Sequence, residues 1–162
     1  MADMEDKPLS ESQIIAACRT RTISAPHFLA VKGQPMKIYC TGCQDTVDAR
    51  LADGAEIYPH RKDLKSLPFW KCDNCGNYVG CHHKTADHTR PLGCIPTAEI
   101  KKARQHIHRL IDPVWKAKRI SRGSLYAKME AVLGKPYHTA EIQSVEEARD
   151  VYRAALTIVK NL

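Results

Sequence analysis

The chain has 162 residues, a hydrophobic fraction of 43% and a net charge of +7, enough for one ordinary domain with a modest core and too apolar for a chain disordered throughout. No apolar run approaches the ~20 residues that cross a bilayer. The opening Met1-Ala2-Asp3-Met4-Glu5-Asp6 is acidic where a secretory signal is basic, so a cytoplasmic protein without membrane contact is expected.

After Pro8, Ser10-Glu11-Ser12-Gln13 reads as a capping box opening a short helix, Glu11 to Thr20, with Ile14, Ile15 and Cys18 as its apolar stripe. Such a stripe is what any docked helix shows. Residues 24–36 carry Pro26, Gly33 and Pro35 and read as a connector.

Two Cys-x2-Cys pairs follow, Cys40/Cys43 and Cys72/Cys75, with 28 residues between Cys43 and Cys72. A tight turn lets the two sulfurs of each pair reach one metal, and small or polar residues close both turns: Thr41-Gly42 in the first, Asp73-Asn74 and then Gly76 in the second. Four thiolates at this spacing suit one tetrahedral, structural Zn2+. Two disulfides or a redox Cys-x-x-Cys are the competing readings. The doubled motif, the acidic N-terminus and the odd total of seven cysteines argue against both.

Around the knuckles, Lys37-Ile38-Tyr39 and the alternating Thr46–Leu51 read as strands, Asp53-Gly54 as a hairpin turn and Ala55–Tyr58 as the return strand. Phe69-Trp70-Lys71 leads into the second knuckle and Tyr78-Val79 leaves it. This is the layout of a zinc ribbon. The loop from Pro59 to Pro68 carries His60, Arg61, Lys62 and Lys65 against Asp63, a basic tip able to touch phosphate or simply a solvated loop. Cys81, His82, His83, His88 and Cys94 could bind a second metal or supply a general acid and base, although their spacing matches no zinc pattern, and Cys81 could replace one knuckle cysteine.

From Thr97, an N-cap candidate, Ile100, Ala103, Ile107, Leu110, Ile111 and Val114 recur at helical spacing. A break is expected at Asp112-Pro113, with Asp112 capping a fresh segment, Pro113 to Arg119. Two further helices are predicted: Gly123 to Leu133, burying Leu125, Met129, Val132 and Leu133, and Val145 to Lys160, opened by the capping box Ser144-x-x-Glu147. On the last helix, Val145, Ala148, Val151, Tyr152, Ala155 and Val159 share a face. Tyr137-His138-Thr139 between the two reads as a short strand or an extended connector.

Charge is concentrated in this half. Segment 101–128 holds nine Lys or Arg (Lys101, Lys102, Arg104, Arg109, Lys116, Lys118, Arg119, Arg122, Lys128) and one acid, Asp112, a net of +8, which leaves −1 for the rest of the chain. That turns a bland net charge into a localised basic surface.

The residues Tyr39-Cys40-x2-Cys43, Trp70-x-Cys72-x2-Cys75-x2-Tyr78-Val79-Gly80-x-His82, Pro91-Leu92-Gly93, Ala98-Glu99-Ile100 and His108-x3-Asp112-Pro113-x-Trp115 occur in linked order. In this the chain resembles the zinc-finger-containing domain family of unknown function found in phage and prophage proteins, over roughly residues 37–140. The resemblance implies the zinc, the fold and a phage or prophage accessory role, and no reaction. Where that family has a His-Ile-Gly step, this chain has His138-Thr139-Ala140.

The expectation is therefore an α+β chain: a short helix and connector (1–36), a zinc-ribbon module (37–96) and a basic helical region (97–162). It would be non-catalytic and would bind nucleic acid, or a nucleic-acid-processing host protein, through Arg61, Lys62, Lys101, Lys102, Arg104, Arg109, Lys116, Lys118, Arg119 and Arg122. The alternatives are an inhibitor acting by protein contact, and a phosphodiester-cleaving enzyme in which His82, His108, Asp112 and His138 converge.

Overall fold

The computed structural model describes residues 34–162; the expected helix over Glu11–Thr20 and most of the connector lie outside the described residues. The chain is α+β, a zinc ribbon followed by a helical half.

Four strands, β1 (Met36–Cys40), β2 (Asp45–Asp53), β3 (Pro68–Lys71) and β4 (Tyr78–Gly80), form an antiparallel meander in chain order. Alternation fixes the register, since a slip of one residue would turn every apolar side chain to water. Ile38 pairs with Val47, and Leu51 pairs with Trp70, which pairs with Val79. All five are buried, with Cys40, Cys72 and Cys81, in a core of the ribbon's own.

The return strand is not where the Asp53-Gly54 signal put it. The Asp53 carboxylate accepts the Glu56 N–H at 2.9 Å, so it caps a single helical turn, α1 (Gly54–Ile57), and the strand returning on β2 is β3. An Asp at this position satisfies a free helical N–H as readily as it starts a hairpin. Gly54 then packs on the Leu64 carbonyl so tightly that a Cβ would lie 1.7 Å from that oxygen.

Three helices follow: α2 (Ala98–Lys116), α3 (Arg122–Leu133) and α4 (Val145–Lys160), each capped by the hydroxyl of the residue before it, Thr97, Ser121 and Ser144. The expected break at Asp112-Pro113 does not occur. Pro113 sits in the last turn of α2, where its missing N–H forfeits one hydrogen bond, and the buried Ile111 and Val114 hold that turn in place. Asp112, no longer a cap, accepts hydrogen bonds from Trp115 Nε1 at 3.3 Å and Lys116 Nζ at 3.2 Å, and its Oδ1 lies 3.1 Å from His108 Nδ1.

The helical core comprises Ile107, Ile111, Leu125, Met129, Tyr137, Ile142, Ala148, Val151, Ala154, Ala155 and Ile158. The three alanines of α4 are all buried in it. Val132 was expected in this core but is 57% exposed, because Leu125, Met129 and Leu133 form the four-residue row that faces α4 and Val132 lies one step off it. Tyr152 likewise stands 39% exposed. His138 is extended and caps a 3-10 turn, Thr139–Glu141, so the stretch from Tyr137 is a connector and not a strand.

Candidate metal centre and the basic surface

Each knuckle begins at a strand end and closes through a left-handed residue just after its second cysteine: Gln44 (φ 56°) after Cys43, and Gly76 (φ 75°) after Cys75. The second is tied by Gly76 N–H to the Cys72 carbonyl and Cys72 N–H to the Asn77 carbonyl, both 2.8 Å. Meander pairing then brings the turns together. Cys40 Sγ lies 3.4 Å from Cys75 Sγ, Cys43 Sγ lies 3.6 Å from Cys72 Sγ, and all four sulfurs fall within 4.8 Å of one another.

A tetrahedral zinc with Zn–S bonds of ~2.3 Å asks for sulfurs about 3.8 Å apart, so these four residues fit one structural Zn2+. Cys40 and Cys72 are buried, and Cys75 faces solvent. Without metal the thiols compete for protons. Hydrogen bonding to Cys72, then burial, pushes Cys43 up to about 12. Burial acts the same way on Cys75, but the Asn77 backbone N–H and the neighbouring thiols outweigh it and bring Cys75 down to about 7. Asn77 also donates its side-chain amide to Cys75 Sγ at 3.2 Å, and Gly42 leaves that amide room, since a Cβ there would sit 2.4 Å from it. A four-cysteine zinc is closed, with no position for water, and its work is to hold the fold.

The second cysteine and histidine set does not assemble. Among the described residues, the four knuckle cysteines are the one group of three or more His, Cys, Asp or Glu close enough to share a metal, so Cys81 does not stand in for a knuckle ligand. His82 follows β4, His108 pairs with Asp112, and His138 caps its turn; among the described residues these four do not form a common cluster. Cys94 instead meets Arg104, whose Nη2 lies 2.9 Å from the sulfur.

Arg104 is the clearest correction to the basic surface. It is 9% exposed, donates to the Ile142 carbonyl at 2.7 Å and the Cys94 carbonyl at 3.4 Å, and cannot reach a phosphate. Lys101 is half-buried as well. Its Nζ sits 3.3 Å over the Tyr78 ring, and burial, with Arg104 nearby, brings it down to about 8. Arg61 forks onto Asp63 at 2.7 and 2.8 Å, while Lys62 beside it is exposed. Lys102, Arg109 and Lys116 are exposed at seven-residue spacing, hence on one face of α2, and Lys118, Arg119 and Arg122 continue the exposed run into α3.

Sequence reasoning missed two groups. Arg50 bridges Glu56 (2.8 and 2.9 Å) and Asp73 (2.9 and 3.0 Å), with Lys71 also on Glu56 at 2.7 Å; Arg50 and then Lys71 hold the Glu56 carboxyl down at about 2 against its burial. Arg50 and Lys71 are cross-strand partners, legible once the β2–β3 register is known. Arg122 and Tyr126, at i and i+4, also interact, and that spacing was readable.

A curled antiparallel sheet carrying four converging thiols on two tight turns is a zinc-binding module of the ribbon type. A model of the zinc-finger-containing domain family matches residues 36–161, and the chain belongs to that family. No curated protein and no solved structure matches it. No described helix is long and apolar enough to cross a membrane.

Proposed function

We propose that the protein is a non-catalytic phage or prophage accessory protein, acting in the bacterial host cytoplasm, whose zinc ribbon is a scaffold and whose α2–α3 surface binds nucleic acid. The supporting observation is the exposed row Lys102, Arg109 and Lys116, running on into Lys118, Arg119 and Arg122. Over that stretch the one acid is Asp112, already shared by Trp115 and Lys116. Each cation that neutralises a phosphate releases condensed counterions, so affinity for DNA or RNA should fall steeply with salt. Replacing Lys102, Arg109 and Lys116 with Glu should weaken binding more than ~10-fold at moderate salt and leave zinc content unchanged. Binding equal to wild type in that variant, or no binding by the wild type at low salt, would sink the proposal.

Protein contact is the second reading, as in an inhibitor or a partner of a nucleic-acid-processing host protein. It is favoured by a groove of about 410 Å³ between α2 and α4, floored by Ala103, Val145 and Ala148 beside the exposed Tyr152. A Tyr152→Asp variant that binds nucleic acid normally but no longer retains a host protein would select it.

A further inference from the structure

The corner between α2 and α3 is built at a cost that a solvated turn would not need. Helix α2 ends in a Schellman motif: Arg119 N–H bonds the Val114 carbonyl at 3.2 Å, and Lys118 N–H bonds the Trp115 carbonyl at 3.0 Å. The residue this motif places in the left-handed region is Lys118, at φ 57°. Glycine takes that conformation freely, whereas a side chain there is strained against its own backbone. Helix α3 ends in the same conformation with Gly134, at φ 66°. The corner therefore carries a lysine where glycine would be the more stable choice.

Other side chains of the corner are held in place. The Asp112 carboxylate accepts Trp115 Nε1–H and so orients the indole. The Arg122 guanidinium lies 5.7 Å from the Trp115 ring and 5.2 Å from the Tyr126 ring, and it donates to the Tyr126 hydroxyl at 3.2 Å. Lys116 Nζ lies 5.4 Å from the Trp115 ring. A guanidinium set against two rings has lost much of its rotational freedom, and its planar fork matches two phosphate oxygens.

Nor does a salt bridge among the described residues tie up the cations leading from α2 into α3. Arg50, Arg61, Arg149 and Arg153 each have a carboxylate partner, but Lys118, Arg119 and Arg122 have none among the described residues. From Lys102 to Lys116 the row on α2 extends about 21 Å at 1.5 Å per residue and ends at this corner. That length suits a polyanion and exceeds a single phosphate.

We propose, building on the nucleic-acid reading, that the α2–α3 corner is a phosphate clamp in which Arg122 anchors the phosphodiester backbone between Lys118 and Arg119, so that binding follows the backbone and not the base sequence. The two rings are occupied in holding cations, which directs Arg122 to phosphate and gives base edges no reader here.

The test uses the zinc-loaded full chain and labelled oligonucleotides of two unrelated sequences at low salt. Arg122→Lys keeps the charge but loses the fork, and it should weaken binding about tenfold. Lys118→Gly should bind several-fold more weakly while its urea midpoint rises, a pairing that a purely structural lysine would not give. The two sequences should bind within about threefold of each other. Wild-type affinity in both variants, with the wild type still binding, overturns the clamp and leaves the nucleic-acid reading standing. Strong dependence on sequence also overturns it. No wild-type binding at all removes both. Competition by inorganic tripolyphosphate as effective as that by an oligonucleotide of equal charge would make free phosphate the ligand and the clamp's assignment to nucleic acid wrong.

Discussion

Cys81 sits one residue beyond β4, 4% exposed, and burial, with the Asp87 charge nearby, pushes its thiol up to about 11. An unfolded cysteine loses its proton near 8.5. Between those values the folded chain holds a proton that the unfolded chain has released, so stability falls as pH rises through this window. Urea melts of Cys81→Ala should show a shallower alkaline loss than wild type, and its zinc content should stay at one per chain; loss of zinc would make Cys81 a ligand. The sequence left that ambiguity open because spacing alone offers Cys81 as readily as Cys75. Three-dimensional register decides it, by giving Cys81 to the ribbon core and Cys75 to the knuckle. Arg104 shows the same limit from the other side. Its charge marked it as surface, while its partners Cys94 and Ile142 are ten and 38 residues away and become neighbours only through tertiary packing.

At the scale of elements, what was legible was what short-range chemistry determines. The Ser144-x-x-Glu147 signal placed α4 because the cap bonds close within one turn: Ser144 Oγ accepts the Glu147 N–H at 3.0 Å, and Glu147 reaches back to the Gln143 N–H at 2.8 Å. The run of α2 through Pro113 was not legible, because continuing that helix depends on burying Ile111 and Val114 against the rest of the fold. Where ribbon and helices meet, small residues carry the fit. A Cβ on Gly93 would lie 2.4 Å from the Ala140 carbonyl oxygen and 2.7 Å from the Ala140 Cβ, and neither the backbone nor a methyl can swing aside. Gly93→Ala should therefore destabilise the protein by about 1–3 kcal/mol, read as a lower urea midpoint with zinc still bound. A midpoint equal to wild type would mean that the 3-10 turn Thr139–Glu141 can shift freely.

At the scale of the whole molecule, the described residues have two separate apolar centres, one in the ribbon around Trp70 and one among the helices around Ile111 and Leu125. Metal binding supplies folding free energy to the ribbon, a core too small to stand without it. In a Trp115→Phe background, where Trp70 is the one remaining tryptophan, chelation should shift Trp70 emission to that of a solvated indole while most helical circular dichroism persists. Simultaneous loss of both signals would show that the two centres fold as one unit. The segment from Cys81 to Ile95 acts within the ribbon itself. It folds back on itself through His82 N–H to the Arg90 carbonyl, bonds β4 through Leu92 N–H to the Gly80 carbonyl, and bonds the end of β1 through Ile95 N–H to the Tyr39 carbonyl and Thr41 N–H to the Ile95 carbonyl, all 2.8–2.9 Å. One loop thus occupies backbone at the C-terminal ends of both outer strands, positions that would otherwise be open to a neighbouring chain. The histidines that suggested ligands in this loop ride on a strap that guards against self-association. Proteolytic nicking between His83 and Thr89, which leaves every zinc ligand in place, should then make the protein more prone to form intermolecular sheet, read as a rise in light scattering over the uncut chain.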